Sequence, residues 1–417
     1  IAIASDNSDT TLAKSGDTIS LTITASESVT GLACTIASET ATMAGSGTSW
    51  TASLTLSGDE GAYTGNNTGG AATLSCASHT DSAGNAGATD TTADSGSVTI
   101  DLTGPTMTIT SSTVTSGGST NTAAVALTFT SSEATTNFVV GDITVTVCIL
   151  STLTASSSTV YTATCTPASE GTPTVAVAAG TFTDAAGNDN SVSNTYTWTY
   201  DTTSPSIGIS SVAGDGYVNE DEYSSNGFSV TGIVVGANGE TVTADYGGAS
   251  ATCTAASNAY TCTFTSAVLA ASNSGGGVSD GTIAVTVDVN DAAGNAATQS
   301  STSVTQDTSD PTLSSISIAS DNSDTTLAKS GDTVTLTITA SESVTGLACT
   351  IDGEAATMGG SGTSWTAALT LSGDETEGAA TFSCASYTDA AGNAGATDTS
   401  ADSGSVTIDL TAPTLTI

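Results

Sequence analysis

Residues 18–26 read TISLTITAS, and apolar residues alternate in this stretch with Ser and Thr. An alternation with a period of two residues is typical of a β-strand that buries one face, and Thr suits the pleated surface of a sheet. The same pattern recurs in TVTLTITAS at 333–341, ITVTVCI at 143–149, TIAVTVDVN at 282–290 and TYTWTYD at 195–201. We therefore predict an all-β protein without a helix of useful length.

Two short motifs recur four times each and divide the chain into similar lengths. A D-x-A-G-N motif, composed of turn-forming residues, begins at positions 81, 184, 291 and 389. A D-x-x-x-P motif begins at positions 101, 201, 307 and 409, so its successive copies are 100, 106 and 102 residues apart. Each interval fits one immunoglobulin-type sandwich. We predict a tandem array of four immunoglobulin-like β-sandwich domains at 1–102, 103–202, 203–308 and 309–410, with 411–417 as the first strand of a following repeat or a donor strand.

The fourth domain is a near-copy of the first. Residues 316–349 repeat residues 1–34 with three substitutions, and both copies end in GSVTIDLT. The first copy carries an additional Gly- and Asn-rich segment near 62–70, which is typical of a surface loop and contains a glycosylation sequon at Asn66. Joined end to end, the last residues APTLTI and the first residues IAIAS resemble the internal DPTLSSISIAS. Either the chain is a window of a longer repeat protein, or the last strand of one subunit completes the first domain of the next.

The charge balance excludes several classes of partner. Lys and Arg together number 2 against 41 acidic residues, which gives a formal net charge of −39. Nucleic acids and anionic membranes would be repelled by such a chain, whereas bound cations would relieve its self-repulsion. No apolar run approaches the length of a membrane span.

The eight cysteines fall two to each predicted domain. Because each domain holds one pair, locality selects the pairing, and the even count predicts structural disulfides in an oxidising, extracellular compartment. No Cys-x-x-Cys motif indicates a thiolate metal site. The first pair is expected on strands C and F, and the third across a hairpin. The predicted pairs are Cys34–Cys76, Cys148–Cys165, Cys253–Cys262 and Cys349–Cys384.

Acidic residues recur where consecutive sandwiches are expected to meet. In an immunoglobulin-type sandwich, the B–C and F–G loops lie at one end, beside the entry of the first strand. The D-x-A-G-N Asp in the F–G loop, a Glu near the B–C loop and the D-x-x-x-P Asp of the preceding domain should therefore converge. Calcium suits such a set because it takes several carboxylate oxygens and tolerates irregular geometry. The predicted ligands are Asp101, Glu133 and Asp184 with Asn188 or backbone carbonyls at the first joint, Asp201 and Asp291 at the second, and Asp307 or Asp310, Glu342 and Asp389 at the third.

Simpler interpretations of the acidic residues stay open. An Asp before Ala-Gly-Asn is also good turn chemistry, because its side chain accepts backbone N–H groups and Gly adopts positive φ. The acidic stretch DGYVNEDE at 215–222 is spaced like a calcium loop but lacks the full pattern, so it is either an ion site or a solvated loop. Lys14 and Lys329 occupy equivalent LAKSGD loops, and we expect each to pair with a nearby Asp.

The sequence indicates that the chain is not an enzyme. Its one histidine, His79, is replaced by Tyr387 in the near-copy, and the chain contains no phosphate-binding or zinc-binding motif. Trp50, Trp198 and Trp365 lie in alternating strands, where core anchors are more common than a sugar-binding face.

The motifs TLAKSGDTVTLTITASE at 326–342, TDAAGNAG at 388–395 and DLTAPT at 409–414 resemble the bacterial-type immunoglobulin-like repeats of giant surface adhesins, biofilm-associated proteins and extracellular filaments. This resemblance implies seven-stranded sandwiches, export from the cell and calcium at the domain joints.

We therefore expect a noncatalytic extracellular repeat protein at the cell surface, a calcium-stiffened rod that forms the shaft of a filament or adhesin. Its expected partners are neighbouring copies or repeats, arranged head to tail. The alternative is a carbohydrate- or protein-binding module of a larger secreted protein, with surface glycans as partners.

Overall fold

The computed structural model describes residues 1–57, 70–272 and 279–416. Its contacts divide the chain into two compact units, Ile1–Thr202 and Thr203–Ile417. Each unit holds two hydrophobic core clusters, and each of the four clusters falls within one of the predicted domains. Strand pairs among the described residues also stay within these four intervals. The all-β class and the tandem array of sandwiches are confirmed, whereas the domain boundaries stay a prediction.

The alternating stretch quoted above forms the central strand of the first domain. Ile19, Leu21 and Ile23 are buried in the core, while the Ser and Thr residues between them face solvent. This strand pairs antiparallel with the first strand on one side and with Thr42–Thr55 on the other. The strands of the first domain are Ala2–Ser5, Leu12–Ala13, Thr18–Thr30, Ala33–Ile36, Glu39–Thr40, Thr42–Thr55, Gly70–Ala71, Leu74–Ala77, Thr80–Asp81 and Thr99–Ile100.

In the second domain, the predicted strand at 143–149 is divided between two sheets. Val147 has a φ of 65°, and this left-handed residue separates Ile143–Thr146 in one sheet from Cys148–Leu150 in the other. The remaining strands are Met107–Ser111, Ser119–Thr120, Val125–Ser131, Thr154–Ala155, Val160–Pro167, Thr174–Val177, Tyr196–Thr197 and Thr199–Tyr200, with a 3₁₀ turn at Val140–Asp142.

The third domain contains a short helix that the sequence analysis did not predict. The helix Ser266–Ser272 begins where the Thr265 hydroxyl accepts the N–H of Val268 at 3.3 Å, and Leu269 anchors the helix in the core. A π-type turn spans Glu222–Asn226. The strands are Ser206–Val212, Tyr217–Val218, Phe228–Val235, Thr241–Tyr246, Ala249–Thr254, Ala259–Phe264, Gly281–Val289 and Ser300–Gln306.

The fourth domain repeats the topology of the first, as expected of a near-copy. Its first strand is longer, because Leu313–Ser320 extends along the central strand as far as Ala340. The strands are Leu313–Ser320, Leu327–Ala328, Thr333–Val344, Ala348–Ile351, Glu354–Ala355, Thr357–Thr370, Gly378–Ala379, Phe382–Ala385 and Thr407–Ile408.

All four predicted disulfides are present. Cys34 and Cys76 are direct partners on neighbouring strands of one sheet. The turn expected between the third pair is present, because Ala256 and Ala259 form an antiparallel bridge, but the strand that carries Cys253 belongs to one sheet and the strand that carries Cys262 to the other. This bond therefore fastens the two sheets of the third domain to each other.

The central strand of the fourth domain offers a direct test of its alternating pattern. Leu336 is fully buried and its neighbour Thr337 is exposed. We expect Leu336→Ala to lower the free energy of unfolding by about 2–5 kcal/mol, because it leaves a cavity in the core. Thr337→Ala should change it by less than about 1 kcal/mol. Chemical unfolding of both variants measures the difference, and equal losses would contradict this assignment of faces.

Candidate metal centres

The D-x-A-G-N motif folds into a turn closed by the side chains of its first and last residues. In the fourth domain, Asp389 Oδ1 accepts the backbone N–H of Asn393 at 2.9 Å, and Asp389 Oδ2 accepts its side-chain amide at 2.8 Å. Gly392 between them has a φ of 96°, which favours glycine. The turns at 81, 184 and 291 contain the same two bonds. The Asp is therefore a turn residue, whatever else it does.

The Asn of this turn also holds the linker that enters its domain. Asn393 Nδ2 donates to the backbone carbonyl of Asp307 at 2.8 Å, and Asn188 Nδ2 donates to that of Asp101 at 2.9 Å. Each amide thus ties a turn of one domain to the D-x-x-x-P Asp that ends the previous one. The role expected of Asn188 as an oxygen ligand stays a prediction.

In the second and fourth domains, the Ser that directly precedes Glu133 or Glu342 holds the chain at the start of the first strand of its own domain. Ser341 Oγ accepts the N–H of Thr312 at 2.9 Å, and the N–H of Ser341 donates to the Thr312 carbonyl at 2.8 Å. Ser132 and Thr106 make the same two contacts in the second domain. Because the Glu follows this Ser directly, the two-bond clamp places the Glu beside the incoming linker.

These contacts bring three carboxylates together at each of two joints. Ligand oxygens of Asp101, Glu133 and Asp184 lie within 4.8 Å of one another, and the same holds for Asp307, Glu342 and Asp389. We call these sets the first and third trios. Asp184 and Asp389 are buried, while the other members are partly buried. Of the two alternatives at the third joint, Asp307 belongs to the trio.

The trios carry an electrostatic cost. Partial burial raises the pKa of Glu133, and the nearby charges of Asp101 and Asp184 raise it further. The pKa of Glu342 is raised in the same way by burial and by Asp307 and Asp389. Burial, opposed by the Thr103 N–H, raises the pKa of Asp101. A bound cation would remove this repulsion, and clustered carboxylate oxygens without His or Cys suit a hard ion such as calcium better than zinc.

The remaining predicted site residues lie elsewhere. Asp310 lines a cavity of about 250 Å³ together with Asn219, Glu220 and Asp221. Asp201 belongs to the first unit and Asp291 to the second, so a shared site of these two residues stays a prediction. Asn66 lies outside the described residues.

A loop of the first domain donates hydrogen bonds to the D-x-A-G-N turn of the second domain, and the sequence analysis missed these contacts. Lys14 Nζ donates to the carbonyl of Gly187 at 2.7 Å, and Asn7 Nδ2 donates to that of Ala186 at 2.9 Å. The expected pairing of Lys14 with an Asp is therefore wrong, although Lys329 does pair with Asp332 at 2.7 Å.

At the third joint, the acidic loop 215–222 donates the corresponding hydrogen bonds to the D-x-A-G-N turn of the fourth domain. Asn219 Nδ2 donates to the Ala391 carbonyl at 3.0 Å, and the N–H of Glu220 donates to Asn393 Oδ1 at 2.9 Å. This loop therefore has a structural role at the joint, whether or not it binds an ion.

The sandwiches and their joints define a tandem array of immunoglobulin-like domains. The family model for a bacterial Ig-like domain matches residues 101–200, which confirms the resemblance drawn from the sequence. A search of curated proteins finds no match.

Many solved structures are similar to the chain at low identity. Invasin, a bacterial integrin-binding protein, is 12% identical with a TM-score of 0.33, and the alignment covers 93% of this chain and 76% of invasin. InvD of Yersinia pseudotuberculosis is 13% identical with a TM-score of 0.30, covering 71% of this chain and 96% of that one. The I9–I11 tandem of titin is 12% identical with a TM-score of 0.25, covering 70% and 94%. In the described part of the chain, none of the helices has the length and apolar character needed to span a membrane.

The buried Asn of the turn provides a test of the joint. We expect Asn393→Ala to lower the free energy of unfolding by about 1–3 kcal/mol, because it removes the side-chain amide that donates to Oδ2 of the buried Asp389 and to the Asp307 carbonyl. Asn85 makes the same turn contacts at an exposed position and is the matched control. Asn85→Ala should cost less in chemical unfolding of the full chain, and a loss as large as that of Asn393→Ala would show that the joint contact contributes nothing.

Proposed function

We propose that the chain is a noncatalytic, extracellular structural repeat protein in which calcium at the joints stiffens a rod, the shaft of a cell-surface filament or adhesin. The observation on which this proposal rests is the pair of carboxylate trios. Each trio takes one carboxylate from the end of one sandwich and two from the next, so an ion that binds all three would restrain the angle between them.

The charge of the chain supports the same proposal. With 2 basic and 41 acidic residues, the protein cannot neutralise its carboxylates with its own side chains. One of its two lysines, Lys14, donates to a backbone carbonyl instead. An external cation would neutralise the trios without protonating them, and extracellular calcium modules typically bind with a Kd of about 0.1–1 mM.

Four disulfides support an extracellular location, since such bonds persist in oxidising compartments. The tryptophans give the alternative sugar-binding function no support. Trp198 is fully buried, and the half-buried Trp50 and Trp365 donate their indole N–H to the backbone carbonyls of Gly47 and Gly362.

Calcium titration of a single-residue variant tests the third trio. Glu342→Gln keeps the shape of the side chain but removes one anionic ligand, so calorimetry should record the loss of one calcium site of sub-millimolar to millimolar affinity. Glu354→Gln in the same domain removes an exposed charge outside the trio and should bind calcium as the wild type does. If both variants bind alike, the third trio is not a calcium site.

Calcium should reverse the order of thermal stability of Glu342→Gln and the wild type. The raised pKa of Glu342 means that ionising this group destabilises the folded state, so without calcium the wild type gains stability from this group as the pH falls through the raised value. In chelator at neutral pH, Glu342→Gln should therefore unfold at higher temperature than the wild type. In excess calcium the order should reverse, because binding stabilises the wild type. If these acidic residues serve only the geometry of the turn and bind no ion, calcium should not reverse the order.

Small-angle scattering of the full chain tests the mechanical part of the proposal. With calcium present, we expect a longer maximum dimension and a stiffer scattering profile than in chelator, because restrained joints sample fewer angles. Magnesium at the same ionic strength controls for screening, since it demands a stricter geometry than calcium. Identical profiles in calcium and in chelator would contradict the stiffening.

A further inference from the structure

We propose that Asp280 is a positioning residue for the third trio, which acts on Asp307 through the linker rather than as a ligand. The inference rests on the proposed function, because it concerns the same calcium site. Asp280 lies in the third domain outside the trio, and its hydrogen bonds end on the residues that flank Asp307.

Asp280 accepts hydrogen bonds from both residues that follow Asp307. Asp280 Oδ1 accepts the Thr308 N–H at 2.9 Å and the Thr308 hydroxyl at 2.9 Å. Asp280 Oδ2 accepts the hydroxyl of Ser309 at 2.8 Å. One carboxylate therefore restrains two consecutive residues of the linker.

The residue before Asp307 is tied to the same carboxylate and to the core of the third domain. The Gln306 side chain is hydrogen-bonded to Asp280, and Gln306 Oε1 accepts the hydroxyl of Tyr246 at 2.7 Å. Gln306 is 1% exposed and Tyr246 is fully buried. Because a buried polar network whose members are satisfied is rigid, Asp280 has a fixed support.

Ser309 carries this restraint to the ligand carboxylate. The N–H of Ser309 donates to Asp307 Oδ1 at 3.2 Å, while its hydroxyl is held by Asp280. The Asp307 backbone is fixed separately, since its N–H donates to the Val218 carbonyl at 3.0 Å and its carbonyl accepts Asn393 Nδ2 at 2.8 Å. Asp280 thus contributes to the orientation of the carboxylate, and the other two contacts hold the main chain.

The same arrangement recurs in two other domains, where a Glu performs the task. Glu170 Oε1 accepts the N–H of Thr202 at 2.9 Å and its hydroxyl at 2.7 Å. Glu377 Oε1 accepts the N–H of Leu410 at 2.9 Å and the hydroxyl of Thr411 at 2.5 Å. In each case the N–H belongs to the residue directly after the D-x-x-x-P Asp. The contact is therefore a repeated feature of the domains.

A glycine places each of these carboxylates. Gly171, Gly281 and Gly378 directly follow the three acidic residues and have φ values of 152°, 141° and 130°, a region that favours glycine. Each Gly is paired with the residue before the D-x-x-x-P Asp. The acidic side chain therefore starts next to a fixed backbone pair and reaches the linker two residues beyond it.

In the first domain, the sequence supplies no carboxylate at this position. Gly70 is paired with Ile100, the residue before Asp101, so Gly70 corresponds to Gly281. The residue before Gly70 is Gly69, which has no side chain and lies outside the described residues. The first trio is therefore an internal control for the third.

A ligand that is held in place before the ion arrives lowers the ordering cost of binding. Replacing an outer-shell partner of a metal ligand typically weakens metal binding by about 10–100-fold. We therefore expect the calcium affinity of the third trio to depend on Asp280 and that of the first trio to be independent of it.

Calcium calorimetry of the full chain on two backgrounds tests this dependence. Glu133→Gln removes a ligand of the first trio and leaves the third intact, whereas Glu342→Gln does the reverse. On the Glu133→Gln background, Asp280→Ala should raise the calcium Kd of the third trio about 10-fold. Asp280→Glu should leave it close to that of the background, because Glu performs this task in two other domains. On the Glu342→Gln background, Asp280→Ala should leave the Kd of the first trio unchanged.

Asp280→Ala also removes a negative charge, and a second variant separates the two effects. Thr308→Val combined with Ser309→Ala keeps the charge of Asp280 but removes two of its linker donors. The combined variant should also raise the Kd of the third trio at least several-fold. If Asp280→Ala weakens binding and the combined variant does not, Asp280 acts only through its charge and the positioning role is wrong.

Hydrogen exchange in chelator provides a readout that needs no ion. Because Asp280 holds the Thr308 N–H, peptides that cover 306–310 should exchange faster in Asp280→Ala than in the wild type. Peptides that cover 99–104, at the first joint, should exchange as before. Unchanged exchange at 306–310 would overturn the inference. Thermal unfolding shows which variants are folded, and if Asp280→Ala is not, the combined variant carries both measurements.

The two proposals fail in different ways. If Glu342→Gln removes a calcium site but Asp280→Ala and the combined variant leave its Kd unchanged, the positioning role is overturned and the proposed function stands. If Glu342→Gln removes no calcium site, the proposed function is contradicted, and the inference fails with it.

Discussion

The joints depend on one amide group. Asn188 and Asn393 each donate from a single Nδ2 both to the Asp of their own turn and to the backbone carbonyl of the Asp that ends the preceding domain. A donor shared in this way couples the shape of a loop in one sandwich to the path of the linker from another. The carboxylates gather where they do because this coupling, with the Ser clamp, sets the distance between the two domains.

The sequence predicted most of the fold because a period of two residues has a strong physical meaning. In TISLTITAS, burial of Ile19, Leu21 and Ile23 follows directly from the alternation. The trios could be predicted for a related reason, since the sandwich topology places the relevant loops at one end. Irregular features left weaker signals. The sheet switch at Val147 needs a left-handed β-branched residue, and the short helix at Ser266–Ser272 is recognisable only through one Thr cap.

Local sequence could not predict the partners of the lysines. Lys14 and Lys329 stand in identical LAKSGD loops, and each has an Asp three residues later. Lys14 nevertheless bonds a carbonyl of the second domain, while Lys329 bonds Asp332. A long, flexible side chain chooses among acceptors of similar energy, so the acceptors that the fold places around each lysine, and not the local sequence, decide its partner.

Turn chemistry and metal binding are compatible interpretations of the same Asp. In all four turns the Asp carboxylate accepts two bonds from its Asn, and two of those carboxylates also lie within 4.8 Å of two others. The turn bonds fix the position of the Asp carboxylate, whereas the neighbouring carboxylates, together with burial, raise the pKa of Glu133 and Glu342. The turn thus holds a ligand oxygen in place before any ion arrives. The repulsion that remains in the trio makes the stability of the joint, on the proposed function, depend on the divalent cations outside the cell.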